Sequence, residues 1–171
     1  KIEAVKMPGK GRLILTGQLG DVMKESAQAA LSYAHSHCDE FGIDPTTFSN
    51  YDIHIHVPAG GVPKDGPSAG VTMLSSILSV LTQRPINAAY AMTGEINLQG
   101  NVMPIGGVKE KILAAKRNNV SHIILPQKNK NDIIGLEEIL NGIDVVWVSH
   151  ADEVMSHVLM PDMIKKAAGS V

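Results

Sequence analysis

The sequence lacks several features that would each point to a particular class of protein. Cys38 is the only cysteine among 171 residues, so no disulfide can form within the chain, and this fits a reducing compartment. No apolar run reaches the roughly 18 residues that a membrane helix needs, and the N-terminus has no basic-then-apolar signal pattern. The basic residues are not gathered into one run and the net charge is −2, which argues against a nucleic-acid-binding surface.

Length and composition instead predict one compact folded domain. The chain is 44% hydrophobic and 19% charged, proportions typical of a soluble globular protein that can bury a sizeable core. It does not begin with methionine, so we expect it to be a domain of a longer protein. The last residues, 163–171, are predicted to form a flexible tail.

Apolar periodicity and turn residues predict an α/β arrangement with helices packed on a sheet. Strands are predicted at 12–16, 53–57, 88–92, 122–126 and 144–148, with a hairpin of short strands around a turn at 99–101. Helices are predicted from residue 21 for about 16 residues, at 68–82, at 108–116, around 133–140 and from 152 to about 159. The first two helices have predicted buried stripes. They are Val22, Ser26, Ala29, Ala30 and Tyr33 in one, and Val71, Leu74, Ile77, Leu78 and Leu81, widened by Met73 and Val80, in the other.

The stretch Pro63-Lys64-Asp65-Gly66-Pro67-Ser68-Ala69-Gly70 joins the strand predicted at 53–57 to an apolar helix. Its prolines and glycines predict a tight, stiff connection that leaves Ser68 at the first helical turn. Ser68 could be an N-cap there, or a nucleophile whose oxyanion is stabilised by the free N–H groups of the helix end. The stretch also has the spacing of a phosphate loop, but Pro67 stands where that motif needs its lysine, so we do not expect nucleotide binding.

His54 and His56 lie on one face of the strand predicted at 53–57, because side chains alternate along a strand. Two histidines on one face could bind a metal, but no third ligand follows at the spacing of a zinc motif. Either histidine could also act as the base for a nucleophilic serine. The simplest interpretation is that both are half-buried strand residues near the site.

Lys109 and Lys111 stand in the helix predicted at 108–116, and each is a candidate general base. They are two residues apart, about 200° around a helix axis, so at most one can face a given pocket. Lys111 is bordered on its helix face by small or apolar residues, which would let another element approach and remove water from the amine. Burial favours the neutral form of an amine, the form that can accept a proton. Lys109 also borders apolar residues, so the periodicity does not choose between the two.

Three motifs in order give the sequence a close resemblance to a known family. They are the 63–70 stretch, Thr93-Gly94-Glu95 and Pro104-Ile105-Gly106-Gly107-Val108-Lys109-Glu110-Lys111. With them, the chain resembles the proteolytic domain of Lon, the ATP-dependent protease, in its soluble bacterial and organellar branch, and the likeness runs through nearly the whole chain. The resemblance implies that residues 1–162 form the proteolytic domain, with a mixed sheet, packed helices and a ribosomal-protein-S5-domain-2-like fold.

The resemblance also implies roles for particular residues. Ser68 matches the nucleophile of the family, and Lys111, not Lys109, matches the lysine that completes its Ser-Lys dyad. Thr93 matches a threonine that helps to orient that lysine. Because the chain keeps the family's residue at each of these positions, the resemblance implies an active serine endopeptidase with no metal or cofactor in this domain.

Further implications concern the parent protein. Family members join this domain to N-terminal domains and to an AAA+ module, which would bind the ATP and magnesium. They assemble as hexameric rings that enclose the proteolytic sites, and they degrade unfolded, damaged and short-lived regulatory proteins. The resemblance implies a protein of the bacterial cytoplasm rather than the mitochondrial matrix, with no membrane or nucleic-acid partner for this domain.

Two other interpretations are compatible with the residues. A Ser-His hydrolase would use His54 or His56 as its base, and it would keep most of its activity after Lys111→Ala. A non-catalytic α/β interaction module would use Ser68 only as a helix cap, unreactive toward serine-directed reagents.

Overall fold

The computed structural model of the protein describes residues 2–17, 19–58 and 69–161, in which helices and strands are mixed along the chain. The strands are β1 (Glu3–Pro8), β2 (Leu13–Thr16), β3 (Tyr51–His56), β4 (Tyr90–Met92), β5 (Glu95–Ile96), β6 (Val102–Met103), β7 (His122–Pro126) and β8 (Asp144–Val148). The α-helices are α1 (Asp21–Ser36), α2 (Thr47–Asn50), α3 (Gly70–Thr82), α4 (Val108–Arg117) and α5 (Ala151–Val158), and 3-10 helices cover Cys38–Phe41 and Gln127–Ile133 among the described residues. The predicted α/β fold with helices packed on sheets is confirmed.

The first sheet is mixed and has the strand order β1-β3-β2. Strand β1 runs antiparallel to β3, and β2 runs parallel to it. Ile53 and Ile55 are 3% and 0% exposed on the core face of β3, whereas His54 and His56 are half-buried on the opposite face. The alternation predicted for this strand is therefore confirmed.

Helices α1 and α3 pack on each other, and α3 packs on strand β1 of the first sheet. The residues buried between these elements belong to what we call the main core. Six of the seven residues predicted to form the stripe of α3 are buried, and the seventh, Val80, is half-buried. The stripe predicted for α1 was wrong in part, because the buried residues of that helix are Met23, Ala27, Ala30, Tyr33 and Ala34. Val22 is 43% exposed. Ser26 and Ala29 flank the buried stripe on one side and are small, so the periodicity gives that neighbouring face almost equal weight.

The second sheet, β4-β7-β8, is parallel throughout and has apolar side chains packed on both faces. Ile124 of β7 points into the main core. Its neighbours Ile123 and Leu125 point the other way and pack with Val108, Ile112 and Ala115 of α4, and we call these five buried residues the α4 layer. Helix α4 therefore lies on the opposite side of this sheet from the main core.

The structure also settles several local predictions. The predicted hairpin is confirmed, although β5 and β6 have only two residues each. Strand β1 and helix α2 were not predicted. The helix predicted around 133–140 was wrong, because a 3-10 helix ends at Ile133 and turns follow it. Gly135 there has a φ of +87°, which a right-handed helix does not accommodate.

Some predictions fall on parts of the chain that the structure does not describe. The interpretations of residues 61–68 as a cap, a nucleophile or a phosphate loop, and of 163–171 as a flexible tail, lie outside the described residues. Of the helices that are described, none has the length and hydropathy to span a membrane.

Candidate active site

The first turn of α3 lies directly against the segment Thr93-Gly94-Glu95. The N–H of Val71 donates to the carbonyl oxygen of Gly94 across 3.0 Å. A Cβ on Gly70 would lie 3.2 Å from that same oxygen, so the lack of a side chain at this position permits the close approach. The structure thereby brings the end of the 63–70 motif together with the Thr-Gly-Glu motif. Ser68, two residues before Gly70, lies outside the described residues.

Thr93 stands at the carboxyl end of β4 and is 5% exposed. Its N–H donates to the carbonyl oxygen of Ile124 across 3.2 Å, which extends the pairing of β4 with β7 by one residue. Because side chains alternate along a strand, Thr93 lies on the same side of the sheet as Ala91, which packs against the α4 layer. Thr93 and α4 therefore share one side of the second sheet.

The two candidate lysines differ in burial. Helix α4 begins at Val108, directly after Gly107, which has a φ of +70°. Lys109 is exposed on this helix, whereas Lys111 is half-buried beside Ile112, which is 0% exposed. The N–H of Lys111 donates to the carbonyl oxygen of Gly107 across 3.1 Å and closes the first turn. The two lysines, which the residue pattern left as equivalent candidates, therefore differ in their exposure to water.

Asn129 is a buried polar residue that the sequence analysis did not single out as part of the site. It is 2% exposed and lies in the 3-10 helix that follows β7. Its side chain bonds the N–H and the carbonyl oxygen of Ile105 at 2.9 and 2.8 Å, so it holds the loop that leads into α4. In the sequence it stands within the polar run 128–131, where nothing distinguishes the one buried residue from its exposed neighbours.

His54 and His56 share a partner on the neighbouring strand β2. The Oγ1 of Thr16 lies 2.9 Å from Nε2 of His54 and 2.7 Å from Nδ1 of His56. A hydroxyl has one hydrogen, so Thr16 can donate to only one of the two rings. The interpretation of the histidines as half-buried strand residues is confirmed. Within the described ranges, no cluster of three or more His, Cys, Asp or Glu side chains could hold a metal ion.

Asp52 is a carboxylate on β3 that is only 4% exposed. It accepts hydrogen bonds from the N–H groups of Arg12 and Lys10, at 2.8 and 3.0 Å, and from the Arg12 guanidinium at 3.1 Å. The hydrogen bond from the Arg12 N–H, followed by that from Lys10, holds the pKa of Asp52 below its usual value. Asp52 therefore anchors the turn between β1 and β2 as a charged group.

The fold and the site together define a mixed α/β domain in which two motif segments meet beside a parallel sheet. The chain belongs to the family of the Lon protease (S16) C-terminal proteolytic domain, whose family model matches residues 1–161. The family resemblance predicted from the three motifs is thereby confirmed.

Individual relatives agree with the family model. The chain is 52% identical over 167 residues to the Lon protease of Desulfatibacillum aliphaticivorans, covering 97% of this chain and 20% of that protein. It is 54% identical over 160 residues to Lon protease 1 of Bacillus subtilis (strain 168), covering 93% and 21%. For the Lon protease of Koribacter versatilis (strain Ellin345) the identity is 56% over 160 residues, covering 92% and 20%. The chain therefore spans about a fifth of the length of these curated relatives.

Proposed function

We propose that this chain is the proteolytic domain of an ATP-dependent serine endopeptidase and that Ser68 and Lys111 are its catalytic dyad. The observation that carries the proposal is the different burial of the two lysines of α4 in a chain of the Lon family. Lys111 is half-buried and Lys109 is exposed. A general base in a water-excluded site must itself be shielded from bulk water, and of the two lysines it is Lys111 that is partly shielded.

In the proposed mechanism, the neutral Nζ of Lys111 accepts the proton from the Oγ of Ser68 as that oxygen attacks a peptide carbonyl carbon. The tetrahedral intermediate collapses when the protonated amine gives its proton to the leaving nitrogen. An acyl-enzyme ester on Ser68 remains, and water deprotonated by Lys111 hydrolyses it. The peptide bond is thereby cleaved with water as the only co-reactant.

Two further features support this chemistry. Backbone N–H groups around Ser68 would stabilise the oxyanion of the intermediate, and one such donor is worth about 3 to 4 kcal/mol in other hydrolases. Buried Thr93, on the side of the sheet that carries α4, is the residue we propose to orient Lys111. The close packing of α3 on the Thr93-Gly94-Glu95 segment would keep these groups in fixed relation.

The biological setting is proposed from the family. We propose that the parent protein carries N-terminal domains and an AAA+ module that uses ATP and magnesium. It would form a homohexameric ring and degrade unfolded, damaged and short-lived regulatory proteins, and it would act in the bacterial cytoplasm. The resemblance carried by the three motifs, together with the likeness to Lon proteases, supports this setting.

The test is ATP-stimulated degradation of an unfolded protein by the full-length parent protein. We expect Ser68→Ala and Lys111→Ala each to lower the rate by on the order of 10³-fold or more while ATP hydrolysis survives. Lys109→Ala is the matched control, because it removes the same side chain two residues away, and it should keep nearly full activity.

A fourth variant distinguishes the dyad from a Ser-His site. His54→Ala should keep its activity if Lys111 is the base. If Lys111→Ala remains active and His54→Ala does not, the proposed dyad is wrong and the base lies on β3.

A further inference from the structure

We infer that Asn129 is a positioning residue that fixes the entry to α4 and thereby the place of Lys111. The inference rests on the proposed function, since it assigns Asn129 a part in the same reaction. Asn129 does not contact the reacting atoms in this assignment. It acts through the backbone of Ile105.

The side chain of Asn129 binds both backbone polar groups of one residue. Its Oδ1 accepts from the N–H of Ile105 at 2.9 Å, and its Nδ2 donates to the carbonyl oxygen of Ile105 at 2.8 Å. Two hydrogen bonds to the backbone of one residue, one to each of the peptide units that flank its Cα, fix the orientation of Ile105 as well as its position. Because Asn129 is 2% exposed, water does not readily replace either bond, and a buried polar group left without a partner is costly.

Asp132 determines which way the Asn129 amide faces. The Nδ2 of Asn129 donates its second hydrogen to Oδ2 of Asp132 at 2.7 Å. An ionised carboxylate only accepts hydrogen bonds, so the atom facing it must be the nitrogen. With that end fixed, the Oδ1 of Asn129 is directed at the N–H of Ile105.

Ile105, the residue that Asn129 binds, lies just before the helix α4, which carries Lys111. Ile105 is followed by Gly106 and Gly107, whose missing side chains cannot anchor the loop, and a Cβ on Gly106 would meet no atom within 4 Å. The first turn of α4 then builds directly on this loop, because the N–H of Lys111 donates to the carbonyl oxygen of Gly107. A shift at Ile105 would therefore be transmitted to Lys111.

Strand β7, which leads into the 3-10 helix of Asn129, also makes a backbone hydrogen bond with Thr93. The carbonyl oxygen of Ile124 in β7 accepts a hydrogen bond from the N–H of Thr93. Strand β7 ends at Pro126, the residue directly before the 3-10 helix that contains Asn129. Thr93 is therefore hydrogen-bonded to β7, and Ile105, at the entry to α4, is hydrogen-bonded to the 3-10 helix that follows β7. This common attachment gives Asn129 a role in the geometry between Thr93 and Lys111, beyond a general contribution to stability.

The test measures peptide hydrolysis by the full-length protein carrying Asn129→Ala, under conditions where the chemical step limits the rate. We expect kcat to fall about 10- to 100-fold with KM nearly unchanged, because a displacement of about 1 Å at a catalytic group can cost that much. Hydrogen exchange should become faster at the amides of residues 105–111, while β7 keeps its protection. Asn131→Ala is the matched control, since Asn131 is exposed on the same 3-10 helix, and it should change neither measurement.

A second substitution keeps the test decisive if Asn129→Ala folds poorly. Asn129→Asp preserves the shape and the acceptor for the Ile105 N–H but sets an oxygen against the Ile105 carbonyl and Asp132. Combining Asn129→Asp with Asp132→Asn in one protein places an amide donor at position 132 opposite the carboxylate at position 129. This double variant should recover part of the kcat that Asn129→Asp loses.

The outcomes separate this inference from the dyad itself. Unchanged kcat in both Asn129 variants, or a kcat loss fully matched by a lower folded fraction, would overturn the positioning role. Lys111→Ala is run in the same series. If it stays active, the proposed dyad fails; if it is inactive while the Asn129 variants are normal, only the role of Asn129 fails.

Discussion

The two sides of the second sheet hold their helices in different ways. The main core surrounds α3, and eight residues of that helix are buried. The α4 layer is much thinner, with only Val108, Ile112 and Ala115 buried on its helix. The segment next to the proposed nucleophile therefore rests on extensive apolar packing, whereas the proposed base stands on a helix with little of it.

This difference teaches how a lysine can be shielded without being fully buried. A thick core around α4 would enclose Lys111, and burying a charge fully there would be costly. A thin layer leaves Lys111 half-buried, and the side chain of Asn129 supplies the rigidity that the thin layer lacks. Stability and activity should therefore separate, with the main core governing the first and the α4 layer the second.

The largest expected effect comes from the main core. Leu78→Ala removes a side chain that is 0% exposed in α3, and we expect the free energy of unfolding to fall by about 2 to 5 kcal/mol through lost burial and the cavity left behind. Denaturant unfolding of the domain measures it. Leu98→Ala is the matched control, because Leu98 is 58% exposed, and it should change the same free energy by no more than about 0.5 kcal/mol.

A matched pair of substitutions compares the two regions directly. Ile77 in α3 and Ile112 in α4 are both 0% exposed, and Ile→Val removes one methylene group from each, at a cost of about 0.5 to 1.5 kcal/mol. We expect Ile77→Val to cost more stability, since the packing around it is thicker. Ile112→Val should lower kcat more, because it loosens the helix that carries Lys111. The reverse order in both measurements would contradict the division between the two regions.

The smallest expected effect is confined to the first sheet and depends on pH. The pKa of Asp52 is lowered in the folded state from its usual value of 3.8, so its contribution to stability is complete above that value and is lost as the pH falls through the folded-state pKa. Asp52→Asn should therefore lower the melting temperature at neutral pH, and the difference from the unaltered protein should shrink as the pH falls below 3.8. The effect should be modest, because the side chain of Arg12 is 75% exposed and its charge is screened.

A melting-temperature difference that stays constant from about pH 7 to pH 3 would contradict the role of the ionised Asp52 carboxylate. Activity per folded molecule should not change at neutral pH, because Asp52 lies on the first sheet and not in the α4 layer.

Much of the fold could be predicted from the sequence wherever one face of an element is strongly apolar. The stripe of α3 and the alternation of β3 are examples, since burial on one side imposes a clear period. The stripe of α1 was less certain because its residues are mostly small. The helix expected around 133–140 was wrong because apolar residues there pack onto the α4 layer from turns, and Gly135 adopts a positive φ.

For the candidate site, the sequence could predict only the residues that lie in the three motifs. Ser68, Thr93 and Lys111 are proposed from the resemblance, and from the residues alone Lys109 and Lys111 were equivalent candidates. Their difference in burial depends on how α4 docks on the second sheet, which no local pattern encodes. Asn129 was not recognised for a similar reason, because its partner Ile105 is 24 residues away in sequence.

The most direct test of the central claim is covalent labelling of the full-length protein with a fluorophosphonate, followed by identification of the modified residue by mass spectrometry. We predict a single adduct on Ser68 that forms faster as the pH rises, because the base must lose its proton. Lys111→Ala should slow labelling by about 100-fold or more, and Lys109→Ala should leave it unchanged. Labelling of Ser68 at the same rate in Lys111→Ala, or no adduct on Ser68 at all, would contradict the proposed Ser-Lys dyad.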